Sequence, residues 1–478
     1  MGEKCRFYVD IIAQHPEVTG SCFLLVIKIP GEKKSIKGII DCGLFQERRY
    51  EDLNQRLTFN ADEVDFVIVT HAHMDHIGRL PKLIKENCSA NIFCTKDTFE
   101  LMPEALKNGH KVMKRNSKLR HQPNLVLYDE NHISETIERA CPLEYNATYQ
   151  VSENVKITFI PNGHLVGAAM VLVEIYDYCD NHINLLFTGD YNSKNIFLED
   201  AKIPKEIFDK PITIITESTY GLVDSCEDEQ QKVFEQNIAQ AIAEKKAIII
   251  PAFALGRSQE VLYRLKKMQE NGKIPLSVPI YLDGNLAMRY TDFYHTGKLG
   301  IKNGMQEFLP QHFQYVTTEQ LRNKLVTDEK ARIIVTTSGM GKHGPAQMYI
   351  PNMLENEHAM IHFTGYCAEG TYGRILQETV EEEEIVLGGL LLTKKAKVNF
   401  TTEFSSHAKA DELIELLQKF TQKLSIVVNH GRTESKQAFA KRLRTSLNTK
   451  KVGVIDNETV FRIGCYGIVK TITIYDNK

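Results

Sequence analysis

The chain contains no tryptophan, and its ten cysteines never cluster. Cys5, Cys22, Cys42, Cys88, Cys94, Cys141, Cys179, Cys226, Cys367 and Cys465 show neither the spacing of a zinc ribbon nor a disulfide framework. Thiols scattered in this way suit a reducing cytosol. No apolar run approaches the roughly 18 residues that a membrane span needs. The segment Met1–Arg6 has no apolar signal core, and Arg6 stands where a myristoylation signal carries Ser or Thr. These absences give the expectation of a soluble, cytoplasmic protein without a membrane partner. Excess charge is also lacking: Lys+Arg is 58 and Asp+Glu is 61, a net charge of −3. That excludes nucleic-acid binding through bulk basic charge and leaves room for a local basic groove.

What is present is ordinary globular composition, with 42% hydrophobic and 25% charged residues among 478. At roughly one domain per 150 residues this predicts two or three domains, large enough to bury a core without covalent clips. Short β-branched and apolar runs alternate with amphipathic stretches, the pattern of an α/β protein. Strands are predicted at Cys22–Ile29, Gly38–Asp41, Val64–Thr70, Asn91–Cys94, Val155–Ile160, Ala168–Ile175, Asn184–Thr188 and Ile212–Thr216. One long interval, about 97–150, lacks clear strands.

After Gly221 the pattern becomes strand–helix alternation, beginning with a helix over Asp228–Glu244 that carries Phe234, Ile238, Ala241 and Ile242 on one face. Strands over Ala247–Ile250, Val278–Asp283, Ala331–Thr337 and Ala359–Phe363 then imply a separate parallel sheet. From Lys394 mixed strand and helix return. The economical division is one domain interrupted by another: 1–221, 222–393 and 394–478.

The strongest chemical signal is Thr70-His71-Ala72-His73-Met74-Asp75-His76, directly after the apolar run Val67–Val69. In extended backbone His71 and His73 face one side and can take one ion, while Asp75 and His76 can take a neighbouring one. A polar surface turn is the alternative, and the strand leading into the cluster argues against it. Two further strands end in matching groups, Pro161-Asn162-Gly163-His164 and Thr188-Gly189-Asp190. Alone, His164 reads as a surface histidine and Asp190 as a turn residue; the combination gives them weight.

Together these residues resemble the metallo-β-lactamase superfamily, with its His-x-His-x-Asp-His motif, then a histidine, then a bridging aspartate, each after a strand. The resemblance implies an αββα sandwich with a dinuclear zinc site at its edge, and it implies that Asp41 orients the site from behind the ligands. The interrupting segment narrows the likeness. It begins at Thr216-Glu217-Ser218-Thr219-Tyr220-Gly221 and carries Pro251–Glu260, Ser338-Gly339-Met340 and Gly365–Thr371. Phe404-Ser405-Ser406-His407-Ala408-Lys409-Ala410-Asp411 and Val428-Asn429-His430-Gly431 follow. In this order they resemble the β-CASP nucleases, relatives of ribonuclease J and of the pre-mRNA 3′-end nuclease. The likeness runs from residue 20 to residue 431. The implied fold is α/β, a metallo-β-lactamase sandwich interrupted by a parallel-sheet β-CASP domain.

Carried over residue by residue, one zinc takes His71, His73, His164 and Asp190, and the other takes Asp75, His76, His430 and the shared Asp190. Nitrogen and oxygen donors without cysteine fit Zn2+ or Mn2+. The implied reaction is metal-dependent phosphodiester cleavage by water activated between two ions, with Asp75 and Asp190 in the catalytic set. His407 is the implied acid, its charge favoured by Glu217. Without the resemblance, Glu217 reads as a strand-end residue capping the next turn. A histidine at position 430 goes with the RNA-cleaving members, so single-stranded RNA is the expected partner and a homodimer is left open. Asn429 departs from the aliphatic residue usual there.

Arg257 and Ser258 open a helix after a strand, a place where a phosphate can sit. Ser338 and Gly339 share that context, and Ser406 adjoins the implied acid. These are candidate contacts to the RNA backbone, set against the plainer alternative of helix caps. Lys107, Lys111, Lys114, Arg115, Lys118 and Arg120 form a basic stretch with no acid between Ala105 and Tyr128, either an RNA-attracting patch or a solvated helix. A chain ending at 478 leaves no room for the extra C-terminal domain of ribonuclease J, which argues against that enzyme's 5′-end action and leaves an endonuclease, the expected mode, or a compact exonuclease. The rivals are a β-CASP DNA nuclease, a hydrolase of another phosphodiester or ester, and a scaffold without catalysis.

Overall fold

Alternation at the start of the chain places Val9, Ile11 and Ala13 on one face of the strand Tyr8–Ala13, and that face is buried. The strand is part of a computed structural model that describes residues 7–474 apart from 226, 342, 366, 368, 402, 403 and 405. It lies antiparallel to Phe23–Lys28 on one side and to Thr459–Gly464 on the other. The two ends of the chain therefore share one sheet, which is why residues on both sides of an interruption form a single unit. The units are Met1–Ser225 with His407–Lys478, and Cys226–Ser406.

Among the described residues the first unit contains an eight-stranded and a seven-stranded sheet. Their facing sides bury Phe23, Leu25, Phe66 and Ile68 from one sheet with Phe159, Val171, Val173 and Leu185 from the other. Each such side chain contributes about 1.5–3 kcal/mol by leaving water. The outer face of the seven-stranded sheet is covered by the helices Ala410–Gln418 and Thr433–Ser446 through Leu413, Leu417, Phe439 and Leu443. Ile212–Thr216 is buried along its whole length because parallel neighbours flank it, His182–Phe187 and Lys423–Val428.

The interval 97–150 holds more than the sequence pattern indicates. Thr95 caps the helix Lys96–Arg120 by accepting the Thr98 N–H at 3.3 Å. The strands Ala140–Leu143 and Thr148–Ser152 then occupy sheet edges, where half-exposed residues blur the alternation.

The second unit is built on a parallel six-stranded sheet whose central strands Ala247–Pro251, Arg332–Thr336 and Ala359–Phe363 are buried at every position. Its boundary falls after residue 406 rather than at 393. The reason is that Lys397–Phe400 pairs in parallel with Ala359–Phe363 and completes this sheet. No helix among the described residues is long and apolar enough to cross a membrane.

Candidate metal centre

The strand Phe66–Ile68 is followed by a turn in which His73 precedes the short helix Met74–Ile77. Its backbone is fixed by the neighbouring strand end: Cys42 N–H donates to His76 O at 2.8 Å and Leu44 N–H to Met74 O at 2.9 Å. Gly43 makes this approach possible, since a Cβ there would fall 1.5 Å from the Asp75 carbonyl oxygen.

Asp41 sits at φ +59° with both oxygens engaged. One accepts the Thr70 N–H at 2.7 Å, and the other accepts the Thr70 hydroxyl at 2.8 Å and His76 Nδ1–H at 2.7 Å. With its hydrogen held on Nδ1, the His76 ring turns Nε2 inward as a ligand atom.

The other two strand ends converge on the same point. Gly163, at φ +74°, lets the turn before His164 pass the Asn192 carbonyl, which a Cβ would meet at 2.2 Å. Buried Asn162 joins the loops: its Oδ1 accepts the His164 N–H at 3.2 Å, and its Nδ2 donates to Thr188 O at 3.1 Å and Asp190 O at 2.6 Å. Thr70 and Asn162 escape a reading by sequence, because only the folded loops show which backbone groups they tie.

Four histidines surround the Asp190 carboxylate, with Nε2 of His71, His76, His164 and His430 at 3.6, 3.3, 3.7 and 3.3 Å. His73 offers Nδ1, 3.1 Å from His71 Nε2 and 3.3 Å from His164 Nε2. Donor atoms of His71, His73, His164 and Asp190 lie within 4.8 Å of one another, as do those of Asp75, His76 and His430.

Burial lowers His71 well below the ordinary histidine value and brings His73 to about 4, so both favour the neutral, ligating form. Burial works the same way on His76 but is outweighed by Asp190 and Asp41, which raise it. For Asp190 burial favours the neutral acid, and His430, His76 and His407 more than reverse this.

His76 Nε2, His430 Nε2 and Asp190 Oδ1 are buried without a hydrogen-bond partner among the described residues. Burying such atoms unsatisfied costs about 1–3 kcal/mol each. Nitrogen and carboxylate donors gathered within 4.8 Å of one another, several of them without a hydrogen bond, suit a divalent cation, so the residues fit a metal cofactor.

His407 lies beside this cluster, its Nε2 3.9 Å from Asp190 Oδ2. Its Nδ1 donates to Glu217 Oε2 at 2.9 Å, and the other Glu217 oxygen accepts the Tyr191 N–H. Burial opposes charge on the His407 ring, and Glu217 with Asp190 overcomes it and raises the value.

The remaining candidates have other employment in the second unit. Ser258, in the first turn of the helix Arg257–Glu270, is wholly buried and donates its hydroxyl to Phe253 O at 2.7 Å. Arg257 is 7% exposed and donates to the Thr364 carbonyl. The Ser338 hydroxyl accepts the His343 N–H at 3.1 Å, and Gly339 packs on Phe253. Ser406, half-buried, is the last residue of that unit. Tyr366, Ala368 and Ser405 of the quoted motifs lie outside the described residues.

Fold and donor cluster define a metal-dependent hydrolase, and comparison with known proteins gives its family. Three family models match: the metallo-beta-lactamase superfamily over 15–139, the Beta-Casp domain over 258–376, and the Zn-dependent metallo-hydrolase RNA specificity domain over 392–455. The chain belongs to the β-CASP nuclease family of the metallo-β-lactamase superfamily. It is 29% identical over 463 residues to transcription termination factor FttA of Methanosarcina mazei, covering 93% of this chain and 70% of the relative. The FttA of Methanococcus maripaludis is 30% identical over 400 residues, 80% of this chain and 61% of the relative. Ribonuclease TTHA0252 of Thermus thermophilus is 27% identical over 445 residues, 89% of this chain and 94% of the relative. The chain thus spans about two thirds of the archaeal factors and nearly all of the bacterial ribonuclease.

Proposed function

We propose that this protein is a ribonuclease that hydrolyses RNA phosphodiesters at a dinuclear zinc centre. His71, His73 and His164 would hold one ion and Asp75, His76 and His430 the other, with Asp190 within reach of both sets. Manganese is the alternative metal for this donor set. The observation that carries the reading is the convergence of buried donor atoms, with His76 Nε2, His430 Nε2 and Asp190 Oδ1 making no hydrogen bond among the described residues. RNA as substrate is supported by the family of the 392–455 segment and by a relative named ribonuclease.

Cations held there would withdraw charge from a bound phosphate and make a water in the site more acidic. The chain supplies the rest. Asp41 and Thr70 keep the His76 ring oriented, and Asn162 keeps the His164 and Asp190 loops in register. As the oxygen of a water that has given one proton to solvent bonds to phosphorus, the bond to the leaving oxygen breaks, that oxygen takes the proton from His407 Nε2, and the ring regains a proton from solvent. Glu217 holds the opposite edge of the ring and favours its charged form. The described cysteines are free thiols, which supports a reducing cytoplasm as the working compartment.

The basic stretch forms an exposed face of the helix Lys96–Arg120, which packs on Met74–Ile77 of the metal loop. Lys107, Lys111, Lys114 and Lys118 follow one another along that face. Lys114 pairs with Glu130 at 3.2 Å and Arg120 with Glu51 at 2.7 Å, acids that only the fold brings near. We assign the face to RNA attraction. Lys107, Lys111, Arg115 and Lys118 replaced together by Glu should flatten the dependence of RNA affinity on salt. The slope of log affinity against log salt should fall by roughly 0.7 for each phosphate no longer neutralised. An unchanged slope removes the face from binding.

The deciding experiment uses 5′-labelled single-stranded RNA and DNA of matched sequence, with added zinc or manganese. Metal-dependent RNA cleavage supports the reading, and the ladder separates internal cuts from end trimming. Two bound metals with neither polymer cut would point to a different phosphodiester or ester.

A further inference from the structure

His430 is held on an uncommon backbone. Its φ is +44°, in the left-handed region that few residues other than glycine adopt, Asn, Asp and His more often than the rest. Such a residue persists only where its surroundings over-determine it. Part of the restraint comes from the strand end beside it. Asn429 N–H donates to Thr216 O at 2.8 Å, the Ser218 hydroxyl to Asn429 O at 2.8 Å, and Ser218 N–H to His430 O at 3.1 Å. The His430 ring is met at Nδ1 by the Thr219 hydroxyl at 3.1 Å.

A further restraint comes from the opposite end of the chain. The Asn429 side chain, 4% exposed, ends 3.1 Å from Nε2 of His15, which is fully buried. His15 Nδ1 lies 3.2 Å from the Cys22 carbonyl oxygen and 3.1 Å from the Cys22 N–H, and burial favours the neutral ring. With its hydrogen on Nδ1 and given to the Cys22 carbonyl, the ring accepts the Asn429 Nδ2–H at Nε2. Phe23 meets the His15 ring edge-on at 5.1 Å and holds its plane. The same N-terminal turn is tied to the segment after His430 twice more. Lys436 Nζ donates to Pro16 O at 2.7 Å, and the Thr433 hydroxyl donates to Glu17 at 3.3 Å.

A polar residue at 429 therefore goes together with a partner 414 residues away in sequence. We propose that His15 and Asn429 are positioning residues, acting as one unit, that hold His430 in its ligating orientation and so set the affinity of the second metal position, that of Asp75, His76 and His430. The pair touches no ligand atom and acts through the backbone of residue 430. The proposal rests on the dinuclear reading above.

The test titrates Mn2+ or Zn2+ into the full, metal-stripped chain, with bound metal counted and heats recorded. His15→Leu and Asn429→Val each leave one buried polar group without its partner. Each should keep the tighter ion and weaken the second by about 10–100-fold. The double variant replaces both partners with apolar groups and should recover much of that loss, because the energies of a contacting pair do not add. If His15→Leu does not fold, Asn429→Val, close in volume, carries the same prediction.

Second-ion affinity unchanged in both single variants overturns the proposal. So do strictly additive losses, or equal weakening of both ions together with a lower Tm. A wild type that binds no ion overturns the dinuclear reading along with it, whereas two ions bound with wild-type affinity in every variant overturn the positioning pair alone.

Discussion

Two buried aspartates end strands in the two units and meet opposite fates. Asp283, at the end of Ile280–Asp283, is fully satisfied: Arg322 grips it with Nε at 2.7 Å and Nη2 at 2.8 Å, and the Tyr349 hydroxyl donates at 2.9 Å. Asp190, after His182–Phe187, is as deeply buried, yet its neighbours are histidine nitrogens at 3.3–3.9 Å and its Oδ1 has no hydrogen bond. Arginine closes a carboxylate because its planar fork matches both oxygens and never loses its charge. Histidine leaves the site open, because a neutral imidazole can present a lone pair in place of a hydrogen. The first arrangement ties the second unit together, and the second has the donor chemistry that suits a cation.

Substitutions can break or sharpen this contrast. The largest effect belongs to Asp190→Ala. Both ions should be lost and RNA cleavage should fall by about 10⁴-fold, some 5 kcal/mol. Metal counting beside the cleavage assay checks it, and two ions retained would refute the bridge. Asp283→Ala should act on stability instead, at about 3 kcal/mol, because Arg322 keeps its charge without a partner. Denaturant melts would show the loss while metal content stays at the wild-type value. Metal loss there would erase the distinction between the two aspartates.

His407→Ala should keep both ions and slow cleavage by about 10²-fold, the lower end for a positioned acid. Full activity in that variant would end the proton-donor assignment. The smallest expected effect is that of Asp41→Ala, which frees His76 to rotate and weakens metal binding by about tenfold. Isothermal titration reads it directly, and wild-type affinity would mean that Asp41 is a packing residue.

Much of the candidate site is legible in the sequence because its donors are dense or follow obvious strands. His71, His73, Asp75 and His76 fall within six residues after an apolar run, and strand ends announce His164 and Asp190. The second unit is equally readable: strands buried on both faces are uninterrupted apolar runs, as in Ala247–Pro251. Edge strands such as Ala140–Leu143 were hidden because half-exposed positions carry no clear period. The boundary near 393 moved because a sheet accepts whichever segment offers free backbone at its edge, and composition does not record that choice. Ser258 shows the converse limit. Its strand-then-helix setting suits a phosphate as well as a cap, and that its hydroxyl is buried and turned to Phe253 O is visible only in the fold.

The sequence by itself determined the chemistry available: neutral nitrogen and oxygen donors, their order along the chain, and the α/β pattern that puts them at strand ends. Tertiary structure decided which of them meet and which atom each presents. Asp41 fixes the free nitrogen of His76, Glu217 engages His407 across 190 residues, and His15 reaches Asn429 across 414. Periodicity reports which face of an element is buried. Hydrogen-bond partnership between distant loops depends on distances and directions that exist only once the sheets have packed.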